Sequence, residues 1–365
     1  MIGDTFVINA VAHAYNLADD NAIGDTGRMV RDAFYGIHTR YNPVGARLPR
    51  TAFCTDQSVE LLARTHFAES PVDLLVYHTL RLDSLFADGL CSLRKAIELT
   101  ERWPGRVVTY LGIDPTLGLD VALTDLAEQH AALPAAVGVK LYPDQLAPYR
   151  TFRMDDPELM FPLYRRIAEL GLRVVAVHKA LPNGPVPLAP YRVDDVEGAA
   201  MRFPELNFEI VHAGMAFTTE TALAVARFPN VYANLEVTTL LLAVAPRLFA
   251  ETLAEFLYWA GPGKLLYSDG ALFAHPAHIA ERFAAFTLPE DLLAKYGIEQ
   301  LTAADRAAIL SGNYAVMAGL DLAGLARRQA EDEWSSRRRR HGLDPPFTAW
   351  RELAGAAPDA GTFGV

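Results

Sequence analysis

The sequence predicts an α/β protein of the (β/α)8 TIM-barrel type, with a long insertion after the first strand and a C-terminal extension. Eight short runs rich in Val, Ile, Leu and aromatic residues alternate with longer runs of helical periodicity. From the second strand onwards, the strand starts lie roughly 23 to 37 residues apart, which is about one βα unit each. No Gly-rich phosphate loop of the doubly wound type follows the first strand. A closed barrel is therefore favoured over an open sheet.

The predicted strands are apolar runs with little polar interruption, as expected for parallel strands that helices cover. They are Phe6–Ala12, Val72–His78, Val107–Ile113, Ala136–Leu141, Arg173–His178, Asn207–His212, Asn230–Leu235 and Lys264–Ser268. The stretches with helical spacing are Ser58–Ala68, Leu85–Arg102, Leu119–Leu133, Pro157–Leu170, Val193–Phe203, Thr219–Phe228, Ala245–Ala260 and His275–Phe286. Pro157 and Gly171 mark the two ends of the fourth helix, because proline is tolerated in a first turn and glycine favours a helix end.

Two segments do not follow this alternation, and the barrel domain is assigned to residues 1–319. Residues 16–56 form a long connection rich in Gly, Asp and Arg, which predicts an inserted loop or lid. Residues 320–365 form a C-terminal extension that is charged through Arg337–Arg340. This arginine run is interpreted as a solvated helix end or an inter-subunit arm rather than as a nucleic-acid patch.

Composition narrows the range of partners. The formal charge is −11, from 33 basic and 44 acidic side chains, so a nucleic-acid partner is not expected. The two cysteines, Cys54 and Cys91, provide no disulfide framework and fit a reducing cytoplasm. No signal peptide is visible and the apolar runs are too short to span a bilayer. We therefore expect a cytoplasmic protein that acts on a small molecule, without nucleic acid or membrane.

Polar side chains recur where the predicted strands end. His178, His212 and Asp269 each stand at the sixth place of a strand, where the strand gives way to a loop. His13 and Lys140 stand at the ends of strands one and four. Because the carboxyl ends of barrel strands meet at one mouth, these five side chains can converge although they are far apart in sequence.

A mixed His/Asp set suits Zn²⁺, or Fe²⁺ and Mn²⁺. A single histidine at a strand end is more often structural, but three such histidines with an aspartate favour a metal site. Lys140 either pairs with a carboxylate or contacts substrate, and His78, Asn234 and Glu236 could face the pocket. The remaining histidines are interpreted as surface or structural residues: His38, His66, His130, His275, His278 and His341.

The chain resembles the amidohydrolase superfamily, specifically the branch that includes aminocarboxymuconate-semialdehyde decarboxylase and γ-resorcylate decarboxylase. His178 matches the strand-five histidine of the family, and His212-Ala-Gly214 matches its strand-six His-x-Gly. Ser268-Asp269 matches the strand-eight Ser-Asp, and Ile309 to Gly319 resembles the closing stretch of the family. The order and intervals of these matches make the resemblance fairly specific.

The resemblance implies a metal held by strands one, five and eight, which gives His13, His178 and Asp269 as ligands. His212 is then either a ligand or the acid/base that handles substrate, and Lys140 and Glu236 are candidate substrate contacts. The family opens with Asp-x-His-x-His, or with Glu in place of the first His, whereas this chain has Asn9-Ala-Val11-Ala-His13. Val11 cannot coordinate a metal, so metal affinity should be weakened.

Three functions follow from the resemblance. The first is a metal-dependent hydrolase in which metal-bound water attacks an amide, lactone or ester-like carbon, with Asp269 moving the proton and His212 stabilising the oxyanion. The second is a non-oxidative decarboxylase, a lyase, of an aromatic or unsaturated carboxylic acid. The third is a metal-free binding protein on the same scaffold, suggested by Val11. Relatives are often dimers, so a homodimer is possible.

Overall fold

Eight parallel strands form the barrel in this computed structural model, which describes residues 1–182 and 184–355. They are β1 (Ile8–Ala12), β2 (Leu74–His78), β3 (Val107–Ile113), β4 (Gly138–Leu141), β5 (Val174–His178), β6 (Asn207–Val211), β7 (Val231–Asn234) and β8 (Leu265–Leu266). Neighbouring strands pair in chain order. A hydrogen bond of 3.1 Å from the Ala10 N–H to the Tyr267 carbonyl links β1 to the chain directly after β8. The predicted TIM barrel is confirmed.

Helices follow the strands and cover the outside of the barrel. They are α1 (Gly24–Tyr41), α2 (Arg50–Phe53), α3 (Val59–Ala63), α4 (Leu93–Arg102), α5 (Leu119–Ala132), α6 (Met160–Glu169), α7 (Asp194–Arg202), α8 (Thr218–Arg227), α9 (Leu241–Val244), α10 (Pro246–Ala260), α11 (Pro276–Ala285), α12 (Glu290–Tyr296), α13 (Ala303–Ala307), α14 (Asn313–Ala318), α15 (Leu322–Gln329), α16 (Glu333–His341) and α17 (Thr348–Leu353). Two π-helical turns, Arg64–Ala68 and Ala308–Gly312, continue α3 and α13.

The barrel interior is packed with apolar side chains. Ile8, Leu74, Val76, Val174 and Leu266 are buried together in one cluster. A second, larger cluster lies between the outward faces of the strands and the surrounding helices. Because the interior is filled, the polar strand-end residues can meet only at the mouth.

The helix predicted over Leu85–Arg102 begins later than expected. Leu90–Cys91, near its predicted start, pairs with Leu80–Arg81 in a short antiparallel hairpin, and α4 starts only at Leu93. The cause is an Asp-Gly turn, in which the Asp88 carboxylate accepts a hydrogen bond of 3.0 Å from the Leu90 N–H. Gly89 and Leu90 both have positive φ, which a continuous helix excludes.

The insertion at residues 16–56, predicted as a loop or lid, is largely helical rather than a loop. It contains α1 and α2. The buried face of α1 is formed by Gly27, Val30, Arg31, Phe34 and His38, at the spacing of successive helical turns. Three of these five residues are not apolar, so the hydrophobic periodicity of the sequence does not indicate a helix here.

The predicted C-terminal extension packs back onto the barrel through α15, α16 and α17, while residues 356–365 of that extension lie outside the described residues. Arg338 is not solvated as predicted, since its guanidinium donates to the carbonyls of Phe67, Ser70 and Val72. Among the described residues no single helix is long and apolar enough to cross a membrane. The helical segments Ala303–Ala318 and Leu322–Gln329 are together long and apolar enough, but the chain bends by 108° between them.

The C-terminal helix should contribute to the stability of the barrel through Trp350. This side chain is buried, packs against His38 and His275, and donates a hydrogen bond of 3.2 Å to the Thr65 hydroxyl. We expect Trp350→Ala to lower the free energy of unfolding by about 3–5 kcal/mol because it leaves a cavity. Leu353→Ala, at an exposed position of the same helix, should change it by less than about 0.5 kcal/mol. Equal effects in urea unfolding would contradict this packing.

Candidate active site

The predicted site residues lie at the ends of their strands, and all are buried. His178 is the last residue of β5, while His212, Glu236 and Asp269 follow β6, β7 and β8. Ala180, His212 and Val237 have positive φ values of 62°, 68° and 64°. Such backbone costs about 1–3 kcal/mol for a residue other than glycine and is found mainly at functional sites. The strained turns after β5, β6 and β7 therefore mark this mouth as a candidate active site.

His178, His212 and Glu236 form a continuous chain of polar contacts. His178 Nε2 lies 2.6 Å from the Leu181 carbonyl oxygen, and His178 Nδ1 lies 2.8 Å from His212 Nε2. His212 Nδ1 lies 2.5 Å from Glu236 Oε2. A carbonyl can only accept, so His178 carries its proton on Nε2 and His212 donates from Nε2. By the same assignment His212 Nδ1 carries no proton, and among the described residues neither His212 Nδ1 nor Glu236 Oε2 has a hydrogen-bond partner, so the two atoms can take up one proton between them.

Asp269 belongs to a second polar cluster with Asn9 and His66. Asp269 Oδ1 accepts hydrogen bonds of 3.0 Å from Asn9 Nδ2 and from the Ala271 N–H. His66 Nε2 lies 3.2 Å from Asn9 Nδ2 and 3.4 Å from Asp269 Oδ1. Asp269 Oδ2 is buried and has no hydrogen-bond partner within the described part of the chain. This oxygen is free to act on a substrate or a proton.

His13 lies on the β1 side of the mouth. Its Nδ1 is 3.3 Å from the His78 carbonyl oxygen, and its ring packs on Tyr15 with 5.0 Å between ring centres. Burial, and then the charge of Lys140, lower the pKa of His13 to about 3. His13 is therefore a neutral imidazole at physiological pH.

Lys140 is the buried cation of the mouth. Burial lowers the pKa of Lys140 to about 8, against the attraction of the Glu209 and Glu236 carboxylates. Its charge in turn contributes to lowering the pKa of His78 and His178 below the ordinary range, after burial as the main cause. Lys140 thus lies within electrostatic reach of the histidines at the mouth.

Glu209 belongs to a buried hydrogen-bond network inside the barrel, at the same level as Lys140. Lys140 on β4 and Glu209 on β6 are both in register with Ala176 of β5. Glu209 accepts from the Tyr110 hydroxyl at 3.0 Å and from the Asn234 amide. Burial raises the pKa of Glu209 to about 7, although Asn234, Lys140 and Tyr110 all oppose the rise. Its carboxyl group is therefore half-protonated near neutral pH.

The residues predicted as metal ligands do not form a metal-binding group in this arrangement. Among residues 1–182 and 184–355, no three His, Cys, Asp or Glu side chains are placed to hold a metal ion. His178 has both ring nitrogens engaged, and Val11, buried in the barrel interior, has no donor atom. The donor set of His13, His178 and Asp269 therefore does not fit a divalent cation without side-chain rearrangement.

The insertion covers the mouth on the side of β1 and β8. Phe34 of α1 packs against Tyr15 and Phe273, with ring centres 5.4 Å and 5.2 Å apart. His38 Nδ1 lies 2.9 Å from the Leu272 carbonyl oxygen. Since Tyr15 in turn packs on His13, a movement of α1 would open or close the site. That α1 acts as a lid stays a prediction.

Several residues of the site were not predicted from the sequence. Glu209 and Asn9 carried a signal, because each is a polar residue within an otherwise apolar strand. His66 was interpreted as surface or structural, but it is buried beside Asp269. Nothing in its local sequence marks it, since it lies in the π-helical turn after α3 and reaches Asp269 only through the fold.

The structure is a TIM barrel with ionisable side chains buried at its mouth, and the comparisons identify it as an enzyme of a known family. The amidohydrolase family model matches residues 83–315, which is more than half of the chain. The chain belongs to the amidohydrolase family. The comparison with curated protein sequences found no match.

Solved structures show the same fold at low sequence identity. A TIM-barrel protein from Bordetella bronchiseptica, described as uncharacterized, is 17% identical, with a TM-score of 0.61 over 86% of this chain and 99% of that one. A 2,6-dihydroxybenzoate decarboxylase from Rhizobium is 14% identical, with a TM-score of 0.51 over 87% and 99%. A dihydroxybenzoic acid decarboxylase from Polaromonas sp. JS666, with bound manganese and the inhibitor 2-nitroresorcinol, is 14% identical, with a TM-score of 0.52 over 88% and 99%.

The buried carboxyl of Glu209 predicts a pH-dependent stability. Its pKa of about 7 lies above the ordinary 4.5, so the folded protein holds this proton to a higher pH than the unfolded chain. The free energy of unfolding should fall between these two pH values, by at most about 3 kcal/mol, and the loss should stop above them. Glu209→Gln should remove this contribution. Parallel pH profiles of wild type and variant in urea unfolding would contradict the prediction.

Proposed function

We propose that this chain hydrolyses a small molecule at an ester, lactone or amide carbon, with His212 as the acid/base residue. The observation that carries the proposal is the chain of contacts from His178 through His212 to Glu236, in which His212 Nδ1 and Glu236 Oε2 lie 2.5 Å apart without a hydrogen bond and can take up one proton. A positioned acid/base pair contributes about 10²- to 10⁴-fold to a reaction rate.

In the proposed reaction a water oxygen attacks the carbonyl carbon and gives its proton to the His212–Glu236 pair. The carbon–oxygen or carbon–nitrogen bond to the leaving group then breaks, and the leaving group takes that proton. The products are a carboxylic acid and an alcohol or amine. Asp269, whose Oδ2 has no hydrogen-bond partner among the described residues, is a second proton acceptor. The Lys140 ammonium can balance the negative charge that develops on the carbonyl oxygen.

Non-oxidative decarboxylation of an aromatic or unsaturated acid is the second candidate. A proton taken up by the His212–Glu236 pair could be delivered to the ring or chain carbon as CO₂ leaves, and Lys140 could hold the acid. However, an ammonium ion beside the departing carboxylate stabilises the ground state more than the transition state, which lowers the rate. Hydrolysis, where the charge develops during the reaction, makes better use of Lys140.

Metal dependence, which the family resemblance implies, is a separate hypothesis that competes with the metal-free reaction described above. One Zn²⁺, Fe²⁺ or Mn²⁺ ion at His13, His178 and Asp269 would require His178 to give up Leu181 or His212, and it would supply an acidified water and charge stabilisation. Elemental analysis of wild type and a His178→Ala/Asp269→Ala double variant tests this. Stoichiometric metal that the double variant loses would support the ligand set, and equal content in both proteins would reject it. Restoring the missing donor with Val11→His should raise the metal content if the set is correct.

The reaction class is tested with two panels of substrates. Esters, lactones and amides should yield titratable acid, whereas carboxylated aromatics should yield no CO₂. His212→Gln and Glu236→Gln should each lower the hydrolysis rate by about 10²- to 10⁴-fold. The exposed Glu205→Gln is the matched control and should leave the rate unchanged. Release of CO₂ without release of acid would reject the hydrolase in favour of the decarboxylase.

A further inference from the structure

Two buried lysines of this barrel differ in their surroundings. Lys179 is fully buried, lies 2.9 Å from the Asp195 carboxylate and donates a hydrogen bond of 2.7 Å to the Pro190 carbonyl. Lys140 is 2% exposed, and within the described residues its ammonium has no hydrogen bond and no carboxylate within 4.0 Å. The centre of the Tyr142 ring, 5.4 Å from Nζ, is a weak substitute for an anion. The Glu209 and Glu236 carboxylates attract Lys140 only from beyond that distance. A cation with so little exposure and no counter-ion in contact with it opposes folding, so its presence points to an anionic ligand.

The groups around Lys140 define what that ligand is. His13, His78 and His178 are buried imidazoles, which carry no negative charge whether or not they are protonated. The two carboxylates that attract Lys140 contact other groups: Glu209 accepts from Tyr110 and Asn234, and Glu236 lies against His212. A divalent cation would add positive charge beside an ammonium, whereas an organic anion would cancel it. Val11, the aliphatic residue at the expected ligand position, adds no charge on the β1 side.

We infer that the Lys140 ammonium takes the role of the divalent cation in this chain, and that the site binds a small carboxylate without a metal. This deepens the proposed hydrolase, on which it rests, by naming the class of molecule that Lys140 holds: the carboxylate that hydrolysis produces, with its oxygen where the charge develops during the reaction. The inference stands on the unpaired Lys140 and on a donor set that does not fit a metal ion.

The first test compares Lys140→Met with Lys179→Met as a matched pair of buried lysines. Thermal unfolding is measured at pH 6, where Glu209 is largely protonated and the Lys140 charge is intact. Removing the unpaired cation should raise the Tm by about 1–3 °C, whereas removing the paired Lys179 should lower it. A fall in Tm for Lys140→Met as large as that for Lys179→Met would show a structural lysine and overturn the inference.

The second test measures ligand binding with acetate, butyrate and benzoate as carboxylate probes and benzamide as the neutral probe. At least one carboxylate should raise the Tm of wild type, benzamide should not, and the effect should be lost in Lys140→Met and partly retained in Lys140→Arg. Failure of all three carboxylates, or an equal effect on Lys140→Met, overturns the inference. So does about one tightly held metal ion per chain after growth in medium supplemented with zinc, iron and manganese.

These results separate the inference from the proposed reaction. Lys140-dependent carboxylate binding in a metal-free protein that hydrolyses nothing would uphold the inference and reject the hydrolase. Hydrolysis by a protein with stoichiometric metal would uphold the hydrolase and reject the inference.

Discussion

The structure depends on one constraint, which is that a closed parallel barrel buries the ends of its strands. The hydrogen bond between Ala10 and Tyr267 joins β1 to the end of β8 and so closes the eight-stranded sheet. The polar groups at the strand ends are therefore enclosed at the mouth. Side chains such as His178 and His212 must then find partners at the mouth, because an unpaired polar group in that environment is costly. The contacts among these side chains follow from this closure. They also determine which polar atoms are left without a hydrogen-bond partner and are available for chemistry.

Most polar groups at the mouth are paired with each other, and the exceptions carry the function. His178 pairs with His212, and Asn9 connects Asp269 to His66. The atoms left without a hydrogen bond among the described residues include His212 Nδ1, Glu236 Oε2 and Asp269 Oδ2. Proton acceptors beside the Lys140 ammonium suit a reaction in which a proton moves and negative charge develops on a small molecule. The aliphatic Val11 fits this account, since no metal donor is required from β1.

The sequence was sufficient to predict the barrel and to place the candidate site residues at the ends of its strands. Apolar runs at regular intervals identified all eight strands, because parallel strands covered on the outside and packed on the inside show almost no polar residues. The insertion was predicted poorly, because α1 buries Gly27, Arg31 and His38 and so lacks an apolar stripe. The hairpin before α4 was missed because the Asp88 turn depends on side-chain contacts rather than on hydrophobic periodicity.

The pairing of the site residues could not be predicted, since a position at a strand end does not fix the direction of a side chain. His178 contacts His212 and Leu181, and the turns that follow β5 and β6, with positive φ at Ala180 and His212, place these partners beside it. Measurement of the ¹⁵N chemical shifts of the histidine side chains tests this central pairing most directly. We predict that His178 is protonated on Nε2 only and accepts a hydrogen bond at Nδ1. A His178 protonated on Nδ1, or one with a metal-bound nitrogen, would contradict it.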